Sequence, residues 1–227
     1  SEGVVEDTME ITGLPRQRMV ALPNPIIGPE IYQKSMEPVD DPWLNDPSVP
    51  VVLGVGRLNA QKDFPTLIRA FKLVREKQNC RLIIIGEGSL LGELETLISE
   101  LGLQDCAALR GHTDNPYAYM KKAAVFVLSS AQEGSPTVLV EAMALGTPVV
   151  STDCPSGPRE TLEGGKYGPL VPVGDHEGLA AAIIETLRSP LPAAVLQQAV
   201  EKFSIEHSTR MYLEALGFSP PSEPAAG

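Results

Sequence analysis

Glu133-Gly-Ser-Pro-Thr-Val-Leu-Val-Glu141 sets two carboxylates with seven residues between them, the first in a turn and the second in an apolar helix. Val138, Leu139, Val140, Ala142, Met143, Ala144 and Leu145 give that helix an almost continuous apolar surface. An ionised carboxylate buried there without partners costs roughly several kcal/mol, so hydrogen-bond donors should meet Glu141. The hydroxyl groups of a ligand would serve, and so would a buried ion pair with an Arg or Lys from a neighbouring strand. Glu133 reads either as a second ligand contact or as a plain turn residue. Ser135 is expected as the N-cap of the helix and Pro136 as its first residue. The N–H groups of Thr137 and Val138 then lack partners at the positive end of the helix dipole, which makes a site suited to a diphosphate. Glu141 lies one turn further on, where it can accept two hydrogen bonds from the vicinal hydroxyls of a ribose.

Three further turns carry candidate chemistry. Gly54-Val-Gly56-Arg57-Leu-Asn-Ala-Gln-Lys62 combines a glycine turn with two cations able to reach one anion, although spacing alone allows both to be solvated loop charges. It is neither a dinucleotide fingerprint nor a Walker loop, because Asn59 stands where a third glycine would fall and no Gly-Lys-Ser or Gly-Lys-Thr follows. Gly86-Glu-Gly88 is a second glycine turn, with Ser89 expected to cap the next helix. Gly111-His112-Thr113-Asp114-Asn115 could supply backbone groups to a nucleobase, although capping by Asp114 or Asn115 ahead of Pro116 explains the segment without any ligand and is the favoured reading. His112, His176 and His207 carry no catalytic signal of their own.

The elements that must position these turns alternate in type. Strands are expected at Val51 to Val55, Arg81 to Ile85, Ala107 to Arg110, Val125 to Leu128, Pro148 to Ser151 and Leu170 to Pro172. Helices are expected at Phe64 to Lys77, Leu90 to Leu101, Tyr117 to Ala123, Thr137 to Leu145, Pro158 to Leu162 and Leu179 to Leu187. Strict alternation with apolar strands such as Leu82-Ile-Ile-Ile85 indicates an α/β fold, a doubly wound parallel sheet of Rossmann-like type. In such a sheet ligands bind outside the carboxyl ends of the strands, where all of these turns fall. Residues 1–48 read as an irregular lead-in with one short strand at Arg18 to Leu22, and residues 49–190 as the ligand-binding domain. Helices at Val195 to Phe203 and Ser208 to Leu216 occupy residues 191–217, and residues 218–227 are expected to form a disordered tail.

With 43% hydrophobic residues in 227, the chain can bury a substantial core. A net charge of −11 argues against binding a nucleic-acid backbone, so an anionic ligand must be held by a few placed cations. Cys80, Cys106 and Cys154 lack metal-ligand spacing and read as buried small hydrophobes in a reducing compartment. No run approaches the roughly 18 apolar residues of a membrane span, and Ser1-Glu-Gly-Val-Val-Glu-Asp is not a signal peptide. The expected setting is cytoplasmic. Ser1 is not an initiating residue, so the chain is expected to be cut or processed from something longer, or renumbered.

Taken in order, Gly56-Arg57, Lys62, Gly86-Glu-Gly88 and Glu133-x7-Glu141 followed by Ala142-Met-Ala144-x-Gly146-Thr-Pro148-Val resemble the retaining glycosyltransferases of family 4. Cys154-Pro-Ser-Gly-Pro-Arg-Glu160 resembles a common bacterial subgroup. The resemblance spans about residues 1–217 and implies the C-terminal lobe of a two-lobed GT-B enzyme, which binds a nucleoside diphosphate sugar without a metal or other cofactor. It implies that Arg57 and Lys62 contact the diphosphate and stabilise the leaving group, that Glu133 meets the donor sugar, and that Glu141 binds the ribose. Gly56, Gly86, Gly134 and the backbone of Ser135, Thr137 and Val138 would line the donor, with Gly111, His112 and Thr113 bordering the base. UDP is the favoured nucleotide. A glycan or lipid-linked acceptor would be bound by an N-terminal lobe outside this chain, so the chain alone is expected to transfer nothing. The whole protein could sit peripherally at the inner face of the membrane. One departure is Ser135-Pro136 where many relatives carry Phe-Gly; proline has no N–H to donate, so the pocket should differ in shape. Two alternatives are weighed: an epimerase-like lobe acting on nucleotide sugars, and a non-catalytic nucleotide-binding or interaction domain.

Overall fold

Side chains alternate across a strand, and here both sets are apolar, so each strand is covered twice. In the computed structural model, which describes residues 1–218, six parallel strands form one sheet: β1 (Val51–Val55), β2 (Arg81–Ile85), β3 (Ala107–Leu109), β4 (Val125–Leu128), β5 (Val149–Thr152) and β6 (Leu170–Val171). Their order is β3-β2-β1-β4-β5-β6, and the register pairs Val52 with Leu82 on one side and with Val125 on the other. The doubly wound sheet read from the sequence is the sheet observed.

The helices are α1 (Glu2–Thr12), α2 (Pro29–Ser35), α3 (Phe64–Lys77), α4 (Leu91–Glu100), α5 (Pro116–Lys122), α6 (Thr137–Ala144), α7 (Pro158–Thr161), α8 (His176–Arg188), α9 (Ala193–Ala199) and α10 (Ile205–Ala215). Val51, Leu53, Ile83, Ile85, Phe126 and Leu128 face a core shared with α2, α5, α6 and α9. Val52, Leu82, Ile84, Val125, Val127 and Val150 face the opposite core, with α3, α4 and α8. Each large side chain moved from water into these cores contributes about 1.5–3 kcal/mol.

The first 48 residues differ from the reading. Arg18 to Leu22 do not form a strand: Arg16–Arg18 make a single 3-10 turn and extended chain follows. Ser1 caps α1 by accepting from the Val4 N–H, and Gly13 ends it in the left-handed region at φ 68°. Those are ordinary helix start and stop signals that the irregular assignment passed over. Ile27, Ile31, Val39 and Leu44 are buried in the core, so this segment contributes to packing. Trp43 packs against both Arg81 and Arg110, whose guanidinium carbons lie 5.7 and 4.7 Å from its ring centre, and Arg110 also pairs with buried Asp41 at 2.8 Å. The three cysteines are buried and unpaired; burial pushes the thiols of Cys80 and Cys154 up to about 11. Of the tail expected over residues 218–227, only Phe218 is described, and its N–H donates to the Leu213 carbonyl at 2.9 Å to close α10; the rest lies outside the described residues. Among the described residues no helix is long and apolar enough to cross a membrane.

Candidate functional site

The strand order reverses between β1 and β4, because the chain winds outward through β2 and β3 on one side and through β5 and β6 on the other. A crevice opens at such a reversal, outside the carboxyl ends of the two strands. The loops that follow β1 and β4 carry Arg57, Lys62, Glu133 and the start of α6, so parallel pairing alone puts these residues at one edge of the sheet.

Lys62 ends a 3-10 turn over Ala60–Lys62, whose start is capped by Asn59 accepting from the Lys62 N–H at 3.2 Å. Asp63 then caps α3, accepting from the Thr66 N–H. Between them these caps fix where the lysine stem leaves the backbone. Its Nζ donates to Glu133 Oε1 at 2.5 Å, and the two side chains are only 17% and 7% exposed. Glu133 is thus the more buried of the two glutamates and belongs to a cross-loop ion pair, which corrects its reading as a plain turn residue. The same loops are also joined by Ser129 Oγ to the Lys62 carbonyl at 2.8 Å and by Gln61 Nε2 to the Gln132 carbonyl at 3.0 Å.

Glu141 is half-buried on α6 and has no cation against it among the described residues. Its one side-chain hydrogen bond among the described residues comes from the Tyr117 hydroxyl, which donates to Oε1 at 3.5 Å, the outer limit for such a bond. Burial raises the carboxyl above its ordinary range, with Tyr117 pulling slightly the other way. The buried ion pair weighed for Glu141 is therefore not formed. Tyr117 is raised in turn, by burial and then by the Glu141 charge.

The start of α6 differs by one residue from the sequence reading. Pro136 is the N-cap and no side chain caps the helix. Ser135 instead accepts a hydrogen bond from Asn24 Nδ2 at 3.2 Å. Proline's carbonyl receives the Leu139 and Val140 N–H groups, while those of Thr137 and Val138 have no partner among the described residues. Arg57 is exposed and makes no side-chain hydrogen bond or ion pair among the described residues.

At the ends of β2 and β3 the backbone itself does the packing. A side chain at Gly86 would place its Cβ 1.8 Å from the Gly56 carbonyl oxygen, so this glycine exists for close backbone approach. Gly86 N–H also donates to the Gly111 carbonyl at 2.8 Å. His112 is exposed beside Asp114 at 3.2 Å, and Thr113 Oγ1 accepts from the Asn115 N–H. Asn115, not Asp114, caps α5, and its amide reaches the Lys34 carbonyl and Glu37 in the lead-in. Ser89 caps nothing; α4 begins after Leu90 without a side-chain cap.

Some contributors were given no role by the sequence. Ser130 and Thr152 lie fully buried behind Glu133, yet in the sequence they are ordinary loop and strand residues. Glu160 accepts the Glu2 and Gly3 N–H groups at 2.9 and 3.0 Å, and Ser1 Oγ donates to the Gly134 carbonyl at 3.2 Å, docking the start of α1 on the Glu133 loop. Among the described residues no three His, Cys, Asp or Glu side chains are grouped to hold a metal ion.

Comparison with known proteins gives consistent matches. A family model described as glycosyl transferases group 1 matches residues 37–203. The N-acetylgalactosamine-N,N'-diacetylbacillosaminyl-diphospho-undecaprenol 4-alpha-N-acetylgalactosaminyltransferase of Campylobacter jejuni is 37% identical over 179 residues, which is 79% of this chain and 47% of that protein. The apo form of a lipopolysaccharide outer core galactosyltransferase superposes with a TM-score of 0.76 at 26% identity, covering 94% of this chain and 59% of the other. An Anabaena protein solved with UDP and glucose gives 0.67 at 26% identity, over 74% and 48% of the two chains. The chain spans between 33% and 54% of the length of the first curated relatives it matches.

Proposed function

The chain belongs to the group 1 glycosyl transferases, and from that premise we propose that it is the donor-binding lobe of a retaining, family 4 glycosyltransferase. The whole protein would move a hexosyl group from a nucleoside diphosphate sugar, most naturally a UDP-sugar, to a glycan or lipid-linked acceptor. The observation that carries this reading is the arrangement at the sheet's reversal point. There Lys62 and Glu133 pair across the crevice, while Glu141 one helix turn inward is a half-buried carboxylate that faces no cation among the described residues.

Each role follows from charge and reach. Breaking the bond between the sugar and the diphosphate leaves negative charge on the leaving oxygen, and Arg57 with Lys62 would stabilise it as it develops. The unpartnered N–H groups of Thr137 and Val138 would share that task at the start of α6. Glu141 would take the ribose hydroxyls, exchanging a long bond from Tyr117 for two good ones. Glu133 would face the sugar, and Gly56, Gly86, Gly134 and Ser135 would line the donor, with Gly111, His112 and Thr113 near the base. No metal enters this scheme. The acceptor would be read by a further lobe, in keeping with the fraction of its relatives' length that this chain matches.

Calorimetric titration of the chain with UDP, GDP and ADP tests the reading, with weak binding expected and UDP favoured. Arg57→Ala and Lys62→Ala should each weaken it, and unchanged affinity in both would sink the diphosphate assignment. No glycosyl transfer is expected from the 227-residue chain by itself; detectable transfer would overturn that part.

A further inference from the structure

Glu133 is held from behind by a residue that no donor would touch. Ser130 is completely buried, and its Oγ donates to Glu133 Oε1 at 2.6 Å. The same oxygen receives the Lys62 ammonium at 2.5 Å. Ser130 is itself anchored, because Thr152 at the end of β5 donates its hydroxyl to the Ser130 carbonyl at 2.6 Å. Thr152 is fully buried too, so the chain of contacts from β5 to the carboxylate is shielded from solvent throughout.

An ionised carboxylate offers about four acceptor positions on its two oxygens. Ser130 and Lys62 fill both positions on Oε1. Oε2 receives no hydrogen bond among the described residues, although the side chain is only 7% exposed. The residue lines a cavity of about 340 Å³ together with Val4, Gln61, Gly134 and Ser156. The carboxyl torsion of a glutamate is soft and roughly two-fold. Lys62 alone would not fix which oxygen faces the cavity, since its ammonium can pair equally well with either. A second donor on the same oxygen, delivered from a rigid strand end, removes that freedom.

We propose that Ser130 is a positioning residue that locks Glu133 Oε1 onto Lys62 and so presents Oε2 to the sugar of the donor, giving the site its preference for the intact nucleotide sugar over the bare nucleoside diphosphate. This rests on the donor-binding reading above. Lys62 keeps two N–H groups for the diphosphate while paired, so nucleotide affinity does not depend on the lock. The sugar's contribution does, because a hydroxyl bonding to a freely turning carboxylate must first order it.

The test compares affinities for a nucleoside diphosphate and its sugar conjugate, using whichever of UDP, GDP and ADP binds the chain most tightly. Ser130→Ala should leave nucleotide affinity within about twofold and weaken the nucleotide sugar about tenfold, the scale of one hydrogen bond to a charged group. Ser130→Cys should behave in the same way, since it restores the volume without a strong donor. Thr152→Val, which loosens Ser130 indirectly, should give the same pattern with a smaller loss. Thermal unfolding checks that each variant is folded. Equal weakening of both ligands by Ser130→Ala, an undiminished sugar preference, or full recovery by Ser130→Cys would overturn the proposal. An unaltered chain that binds the nucleotide but gains nothing from the sugar would overturn it while leaving nucleotide binding standing. An unaltered chain that binds no nucleotide or nucleotide sugar would remove the donor reading itself.

Discussion

The ends of β1 and β4 and the ends of β2 and β3 open at the same edge of one sheet, but they are filled with different materials. Between β1 and β4 the contents are charged side chains: Lys62 and Glu133 paired at 2.5 Å, with Glu141 on α6 unpaired by any cation among the described residues. Around the end of β2 the contents are backbone, with Gly86 pressed on the Gly56 carbonyl at the end of β1 and bonded to the Gly111 carbonyl after β3. Motif reading treats the glycines and the charges alike as donor contacts. Geometry separates their duties, because a position with no room for a Cβ must hold two turns together whether or not a ligand lies beside it. Substitutions at the end of β2 should therefore be read in stability, and those between β1 and β4 in binding, with stability also lost where a buried pair is broken.

The sharpest break would come at Gly86. Gly86→Ala would bring a Cβ to 1.8 Å from backbone at a φ of +149°, where L residues are strained. The clash and the strain together should cost about 4 kcal/mol or more, measured by urea unfolding. A loss under about 1 kcal/mol would mean that the two turns can part easily. Lys62→Ala comes next, since it strands a carboxylate that is 7% exposed. Removing one partner of a buried pair should cost about 3 kcal/mol. Adding Glu133→Gln should recover much of that loss, because the stranded charge is gone. Additive losses in this double-mutant cycle would show that the two side chains do not act as a pair.

How far these regions could be read in advance follows from the distances involved. The strands and the helices α3 to α6 were legible because two-sided apolar strands and amphipathic periods are local patterns. Lys62 and Glu133 were both picked out, but their contact spans 71 positions and depends on the winding order of the sheet. The relative burial of the glutamates was inverted for a related reason. Glu141 has apolar sequence neighbours yet lies half-buried, whereas Glu133 sits among turn residues and is covered by loops remote in sequence. Ser130 was invisible, as a serine before a turn looks the same whether it faces solvent or a carboxylate. The capping of α1 by Ser1 and its end at Gly13, by contrast, were local and could have been read.

Glu141 should give a smaller effect, confined to binding. Glu141→Gln should weaken the nucleotide by about 1–3 kcal/mol if the carboxylate accepts ribose hydroxyls. The same change should leave the ligand-free chain as stable or slightly more stable at neutral pH, because burial disfavours the charged form. The sign can be followed with pH. A carboxyl raised in the folded state stabilises the chain at low pH, and that contribution fades as pH rises through its raised value. Hydroxyl donors favour the charged form, so binding should release a proton and affinity should fall as pH drops through that value. Calorimetry in buffers of different ionisation enthalpy would detect the proton, and pH-independent affinity in this range would separate Glu141 from the ligand.

The smallest effect is expected at His112, and it is informative for that reason. Its ring is 64% exposed, and its neighbour Asp114 is fully exposed. His112→Ala should change stability by less than about 0.5 kcal/mol, as surface substitutions do. Any base contact from this turn would come from the backbone of Gly111 to Thr113, which the substitution leaves in place, so nucleotide affinity should also hold. A loss of more than about tenfold in UDP affinity would put a side chain to use between β2 and β3. It would then erase the division between a backbone-filled edge and a charge-filled crevice.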